Sequence, residues 1–418
     1  RSVRRSSNTS LIFIRMTRKN IFSNTGTTSN DTTGGGLSFG TTTTNDKGLS
    51  FGNDSNTSST AFGDTTTSSF DLNKKVSSSS SSPSSVPNLL IDTDVGVDDA
   101  FALFMAFSAS SEGTCTIDSI TTVFGNVSAK QSAENVERLL YLHGKTFGCL
   151  ENKSVPIALG AEGSMIDFTD APPQWPGHGP KGMGDASTEV PPASFRNRVD
   201  SHAAMHIIER CRKRPGEITI VCLGPLTNIA LALRLEPSLS KLVKKVVVMG
   251  GTSRAHGNTT AVSEFNVYCD PEAAHVVFQA FDSSKLVVVN WEEVLDTSFT
   301  WSEFETLAKE SSFKNNFLND LFGAYKRVAA SKSHNDDVAF CPADAYTMAV
   351  ALKPDTVIEE SVSLRAFVEL HGRCRGLTVY DWSQRMRKGE TYPSSENVTV
   401  VKTLNKKSCW DIFRGAVC

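Results

Sequence analysis

From residue 88 onward the chain alternates short apolar runs rich in β-branched residues with longer segments of mixed polarity. The runs are Asn88–Asp92, Ile117–Gly125, Val155–Gly160, Ile218–Gly224, Lys245–Gly251 and Lys285–Trp291. Helix-length segments separate them, among them Ser128–His143, Ser201–Arg212, Leu226–Arg234 and Pro271–Phe281. A run that is apolar at nearly every position belongs to a strand covered on both faces. Such strands, alternating with helices, predict an α/β fold: an open, mostly parallel, doubly wound sheet with helices on both faces. A further strand, Val398–Leu404, and a short helix are expected to finish the chain against that core. In such a sheet ligands bind beyond the carboxyl ends of the strands, so the residues just after each run are where chemistry is to be sought.

The first 87 residues have another texture, dominated by Ser, Thr, Asn and Gly, with serine at every position from Ser77 to Ser82. They repeat GLSFG at Gly36–Gly40 and Gly48–Gly52, with a further Phe62-Gly63. The spaced Phe-Gly pairs resemble those of nuclear-pore proteins, but three are too few to assign that role, and a low-complexity linker is the reading preferred. A segment of this composition buries too little apolar surface to offset the entropy of ordering it. The expected organisation is therefore a disordered tail over 1–87 and one large α/β domain over 88–418. Arg1, Arg4, Arg5, Arg15, Arg18 and Lys19 occur before any acid, as in a mitochondrial presequence. Because the later tail is too long and polar for a simple presequence, a start at Met16, the first methionine, and a cytoplasmic protein is the reading preferred, with the mitochondrion second. A net charge of -3 offers no reason to expect nucleic acid or an anionic membrane as partner. Nine scattered cysteines without a CxxC pair read as reduced thiols rather than a disulfide framework.

The first run ends in IDTDVGVDDA, which places Asp92, Asp94, Asp98 and Asp99 close together, while no Lys or Arg occurs from Val76 to Ala129. Strand periodicity puts Asp92 and Asp94 on one face. Asp98 and Asp99 open the following helix, where the dipole favours acids. That explanation covers two of the four. Asp94, at the strand tip beside Gly96, still needs a partner, and a hard divalent cation held by carboxylate oxygens fits best.

DTDVGVDDA resembles the opening signature of the inosine-uridine-preferring nucleoside hydrolase family, whose usual form has Pro where this chain has Val95. The resemblance continues in order through Gly125-Asn126, LGPLTNIALAL (Leu223–Leu233), VVVMGG (Val246–Gly251), GNTTAVSEFNVYCDPEAA (Gly257–Ala274) and HGRCRGLTVYDW (His371–Trp382). It implies hydrolysis of the N-glycosidic bond of ribonucleosides to ribose and free base, with a calcium-bound water activated by an aspartate. It also implies a homodimer or homotetramer whose partner is a small nucleoside.

Carried over residue by residue, the resemblance makes Asp94, Asp99, the backbone carbonyl of Leu223, and Asp344 the Ca2+ ligands, with Asp94 also the general base. The family usually has Thr at the position of Leu223, a change that a backbone ligand tolerates. Asp336 and Asp337 rival Asp344 but stand in a charged, loop-like stretch. Asp98, Asn126, Asn258, Glu264 and Asn266 would bind the ribose hydroxyls, whose donors and acceptors amides and carboxylates match. Met249 would pack against the ligand. Many members carry a His directly before the last calcium aspartate, where this chain has Ala343. WPGHGPKGMGD (Trp175–Asp185) resembles the family's HGxxGLGD loop, which makes His178 a candidate proton donor to the leaving base, ahead of His256 and His334. Trp175 could stack on that base.

Three rivals are weaker. Haloacid-dehalogenase-like phosphatases also place DxD after a first strand, but their motif continues differently at Gly96 and gives no role to Gly257–Asn266. A nucleoside- or ribose-binding protein with lost chemistry is the alternative kept, since Ala343 favours it mildly while the intact Asp94, Asp98, Asp99 and Asp344 oppose it. A dinucleotide-binding fold would require a GxGxxG after the first strand, and none is present.

Overall fold

The computed structural model describes residues 86–418, apart from 149–154, 167–173, 187–196, 314–315, 333–338 and 386–394. All but the last two residues of the expected tail therefore lie outside the described residues, as do Asp336, Asp337 and His334. The chain divides into units Arg1–Ser78 and Ser79–Cys418, and everything below concerns the second.

Among the described residues nine strands form the main sheet: β1 (Asn88–Thr93), β2 (Thr116–Thr122), β3 (Ile157–Leu159), β4 (Arg198–Val199), β5 (Ile218–Cys222), β6 (Lys245–Met249), β7 (Leu286–Val289), β8 (Ile358–Leu364) and β9 (Val398–Leu404). Their order is β8-β9-β7-β6-β5-β1-β2-β3-β4, with every pairing parallel except β8 with β9. The mostly parallel doubly wound sheet is thus as expected. Most strands stop earlier than their apolar runs, β2 at Thr122 rather than Gly125 and β5 at Cys222 rather than Gly224, while β1 runs one residue past its own, to Thr93. The last residues of the longer runs leave the sheet to form the loops above its carboxyl edge, and the functional positions lie at strand ends, on these loops and in first helical turns.

The helices used below are α1 (Val97–Ser111), α2 (Ala129–Phe147), α3 (Ala203–Lys213), α4 (Thr227–Leu235), α5 (Phe265–Cys269), α6 (Pro271–Ala280), α7 (Phe317–Lys332), α8 (Ala343–Leu352) and α9 (Lys406–Gly415). Alternate residues of the central strands face opposite cores. Leu89, Ile91, Val247 and Val287 join the cluster beneath α1, α2 and α8. Leu90, Val246, Val248 and Val288 join the one beneath α3, α4 and α6. Each fully buried side chain of this kind contributes about 1.5–3 kcal/mol. Helix α1 is buried on nearly every side, which its run of Phe101, Phe104, Met105 and Phe107 among alanines requires. Among the described residues no helix is long and apolar enough to cross a membrane.

Winding reverses at β1. The chain proceeds from β1 through β2 to β3 and β4 on one side, then returns to β5 and continues through β6 and β7 on the other. The carboxyl ends of β1 and β5 are therefore neighbours at a topological switch point, where helices diverge and leave a crevice. Asp92, the last buried carboxylate within β1, is fastened from both sides. Thr121 Oγ1 donates to it at 2.5 Å and Asn228 Nδ2 at 2.8 Å. Asn228 also donates to the Thr122 carbonyl and accepts the Ala161 N–H, joining β1, β2, α4 and the loop after β3 directly below the crevice.

Candidate active site

Only three residues, Asp94 to Gly96, separate β1 from α1, so Asp94 stands at the strand tip while Asp98 and Asp99 occupy the first turn of the helix. Asp99 fastens that turn. It accepts the Gly96 N–H at 2.8 Å, the Thr93 hydroxyl at 2.5 Å and the Asn126 amide at 3.1 Å. From the opposite wall, α8 brings Asp344 in its own first turn. One carboxylate oxygen from each of Asp98, Asp99 and Asp344 lies within 4.8 Å of the others, a grouping able to hold a metal ion.

Asp94 is not part of that grouping, although its carboxyl feels the charges of Asp99 and Asp98. Its Oδ2 accepts the Asn126 N–H at 2.6 Å. Its surroundings are glycines: a Cβ on Gly125 would lie 2.1 Å from Asp94 Oδ2, and one on Gly224 would lie 2.8 Å from Oδ1. Only residues without a side chain admit the carboxylate here. Gly96 is constrained in the same way, because a Cβ there would come within 2.5 Å of His178 Nδ1 and 2.7 Å of Asn126 Nδ2.

Four buried carboxylates at close range repel one another. Burial, then the charge of Asp99, holds the Asp94 carboxyl well above the ordinary carboxylate range. Burial, then the charges of Asp98, Asp99 and Asp94, does the same to Asp344. Burial raises Asp98 to about 6, against the lowering pull of the backbone N–H groups around it. Asp94 Oδ1 and Asp98 Oδ1 are buried without a hydrogen-bond partner among the described residues. Buried acceptors of this kind are costly unless a cation takes them up. The donor set, all carboxylate oxygen with no cationic side chain among it, suits a hard divalent ion.

The remaining candidates surround one cavity of about 610 Å³, whose walls include Asp98, Asn126, His178, Leu223, Met249, Asn258, Glu264, Asn266 and Asp344. Asp94 and Asp99 are fully buried behind that wall. Asn266, in α5, donates its amide to the Leu223 carbonyl at 2.7 Å and more weakly to the Met249 carbonyl and sulfur, binding the ends of β5 and β6 together. The Leu223 carbonyl retains a second lone pair. Glu264 caps α5, accepting N–H groups from Asn266 at 2.7 Å, Gly251 at 2.9 Å and Val267 at 3.1 Å. Burial lifts its carboxyl to about 7. Asn258 accepts the Phe265 N–H at 2.9 Å.

His178 is also buried. Its Nδ1 accepts the Val97 N–H at 3.2 Å, so the ring proton belongs on Nε2. Burial lowers its pKa to about 4, hence the ring is neutral and its 3.8 Å approach to Asp98 is no ion pair. The Trp175 ring meets His178 and Tyr325 edge-on, with centroids 5.1 and 4.7 Å away. Phe265, Trp291, Leu295, Tyr325 and Cys341 extend the apolar wall and were not among the sequence candidates. They stand on α5, α7 and the segments after β7 and before α8, and no local motif marks them. His256 does not line this cavity, although Asn258, two residues on, does.

The family model for the inosine-uridine preferring nucleoside hydrolase matches residues 89–411. A probable uridine nucleosidase of Oryza sativa subsp. japonica is 32% identical over 293 residues, 70% of this chain and 84% of that protein. The inosine-uridine preferring nucleoside hydrolase of Crithidia fasciculata is 32% identical over 299 residues, covering 70% of this chain and 87% of its own. Among solved structures, an inosine-guanosine nucleoside hydrolase superposes with a TM-score of 0.68 at 31% identity, covering 79% of this chain and 98% of that one.

Proposed function

Because the chain belongs to the inosine-uridine preferring nucleoside hydrolase family, and so is a hydrolase acting on N-glycosyl compounds, we propose that it cleaves ribonucleosides to ribose and free base with the help of Ca2+ and an aspartate base. The observation that carries this reading is the meeting of two chemistries in one crevice: a cluster of buried carboxylates with unpartnered oxygens, opening on a cavity lined by amides and acids suited to sugar hydroxyls.

Asp94, Asp99, Asp344 and the Leu223 carbonyl would hold the ion, and Asp98 is close enough to join them. A donor set of carboxylates and a carbonyl, without thiolate or imidazole, favours calcium over a transition metal. When bound, the cation supplies positive charge that polarises oxygen ligands and favours their deprotonation. Asp94 acts as the base that takes a proton from an attacking water, a reading supported by its one oxygen fixed by Asn126 and the other unengaged. Asp98, Asn126, Asn258, Glu264 and Asn266 orient the ribose, and Met249 packs beneath it. The acceptors around the ring stabilise the positive charge that develops on the sugar as the bond to the base stretches.

Departure of the base is helped by His178. A neutral imidazole with its proton on Nε2 is a donor, and the Trp175 edge beside it excludes water from the same corner. This substitutes for the histidine that Ala343 lacks.

The test is incubation with uridine, inosine, cytidine and guanosine in phosphate-free buffer containing Ca2+, with chromatography of base and sugar. Equal amounts of free base and ribose are expected from at least one nucleoside. Folded, calcium-loaded protein that retains every nucleoside intact contradicts the reading and leaves a nucleoside-binding role.

A further inference from the structure

The segment between β6 and α5 carries Asn258 to the cavity wall without any helix or strand of its own. Such a segment holds a side chain in place only if something else fixes its backbone. The fixing comes from the helix Trp291–Thr297, which follows β7. Glu292, fully buried, turns its carboxylate to the segment and accepts three backbone N–H groups: Ser253 at 2.8 Å through one oxygen, Arg254 at 2.8 Å and His256 at 3.0 Å through the other. The same helix adds Glu293, which accepts the Ser253 hydroxyl at 2.8 Å, and Asp296, which accepts the Arg254 guanidinium at 2.7 Å on the surface.

The backbone needs this grip. Ala255, inside the turn that Glu292 clasps, has φ of +57°, a conformation unfavourable for a residue with a Cβ. Two residues on, a Cβ on Gly257 would lie 2.4 Å from the Thr260 carbonyl and 2.5 Å from Ser263 N and O, so the chain folds tightly on itself just before Asn258. On the far side the Thr378 hydroxyl donates to the Thr252 carbonyl and accepts its N–H, each at 2.7 Å. An apolar side chain would fill the place of Glu292 without desolvating a charge; what the carboxylate adds is three strong, directional bonds to one turn.

We propose that Glu292 is a positioning residue for the hydrolase reaction: it sets the 253–256 turn so that Asn258 faces the sugar. This rests on the nucleoside-hydrolase reading given above. Glu292 itself does not line the cavity, so its influence passes through the turn.

The test is a double-mutant cycle with Glu292→Gln and Asn258→Ala, using the nucleoside that the wild type cleaves best. Gln keeps the size of Glu but turns a nitrogen, which cannot accept, toward the turn. Glu292→Gln is expected to raise KM about tenfold while kcat stays within roughly threefold, the signature of lost ground-state and transition-state binding together. Added to Asn258→Ala, it should raise KM by less than about twofold more, because both changes remove one interaction. Backbone amide exchange at Ser253, Arg254 and His256 should quicken in Glu292→Gln and largely recover in Glu292→Asp. Should Glu292→Gln not fold, Glu292→Asp carries the cycle, with a smaller KM rise expected. A wild-type KM in the folded variant, or effects that multiply in full, overturns the positioning role. A wild type that cleaves no nucleoside overturns instead the reading beneath it, and the two failures are distinguished by the wild-type assay alone.

Discussion

Asn126 donates its backbone N–H to Asp94 Oδ2 at 2.6 Å, and the other oxygen of that carboxylate is buried without a partner among the described residues. One bond thus orients the group and leaves Oδ1 unengaged beside Asp98, Asp99 and Asp344. Asn126 also donates its side-chain amide to Asp99, so one residue after β2 aligns an acid of the first loop and one of the helix that follows it.

Replacing Asp94 by Asn keeps the shape of the side chain and removes its ability to take a proton. The expected result is a fall in kcat of roughly 10²–10⁴-fold, the usual contribution of a positioned general base. The fold should be retained, since the change also removes one of several mutually repelling charges. Steady-state kinetics with circular dichroism as a control read both parts. A kcat within tenfold of wild type would remove Asp94 from the role of base.

Ca2+ should stabilise the protein, and Asp344 should determine by how much. A ligand that binds only the folded state at a hundred times its Kd adds about 2.7 kcal/mol. Asp344→Asn is therefore expected to reduce the calcium-dependent rise in Tm, and to raise the Tm of the chelator-treated protein, because it relieves repulsion from Asp98, Asp99 and Asp94. Differential scanning fluorimetry with and without chelator gives all four values. An undiminished calcium shift in Asp344→Asn would place the ion elsewhere.

How far the sequence revealed this site depended on whether the signal was local. The DTDVGVDDA run displayed Asp94, Asp98 and Asp99 because strand tip and helix start are adjacent in the chain. Strand alternation put Asp92 on the same face as Asp94, and nothing local could show that Thr121 and Asn228 fasten it from β2 and α4. Tyr325 and Trp291 reach the cavity from distant helical segments whose sequence is that of any buried helix face. The edge strand β8 was missed for a similar reason: its exposed, polar residues gain their place only by antiparallel pairing with β9. The expected ends of β2, β5, β6 and β7 overran by two or three residues because the apolar runs continue beyond the sheet, where Leu223 and Trp291 line the cavity.

The glycine at position 125 should be irreplaceable for a reason separable from its backbone conformation. A Cβ there would overlap the Asp94 carboxylate at 2.1 Å. Gly125→Ala is expected to cost about 1–3 kcal/mol of stability, as overpacking does, and to lower kcat/KM more than about a hundredfold by displacing Asp94. Gly113, with φ of +73° and nothing within 4 Å, is the control: Gly113→Ala carries the backbone strain and should leave kcat/KM unchanged. Chemical denaturation and kinetics on the two variants check the contrast.

A pH dependence of stability follows from His143, which sits fully buried against Phe104, Phe107 and Phe147 and shares a hydrogen bond with Ser108. Burial lowers its pKa from 6.5 to about 4. Between those values the unfolded chain binds a proton at this residue that the folded protein refuses, so the contribution of His143 to stability rises with pH across that window and is lost as pH falls toward 4. His143→Phe should flatten this part of the profile, measured as the urea midpoint from pH 4 to 7. An unchanged slope would assign the acid sensitivity to other groups.

The central claim is metal-assisted, aspartate-dependent hydrolysis of a nucleoside. Its most direct test is ribose release from uridine and inosine by wild type and Asp94→Asn, each stripped with chelator and then given back Ca2+. Release by calcium-loaded wild type, loss on chelation, recovery on calcium add-back and no comparable recovery in Asp94→Asn is the predicted result. Undiminished release after chelation, or full release by Asp94→Asn, would contradict it.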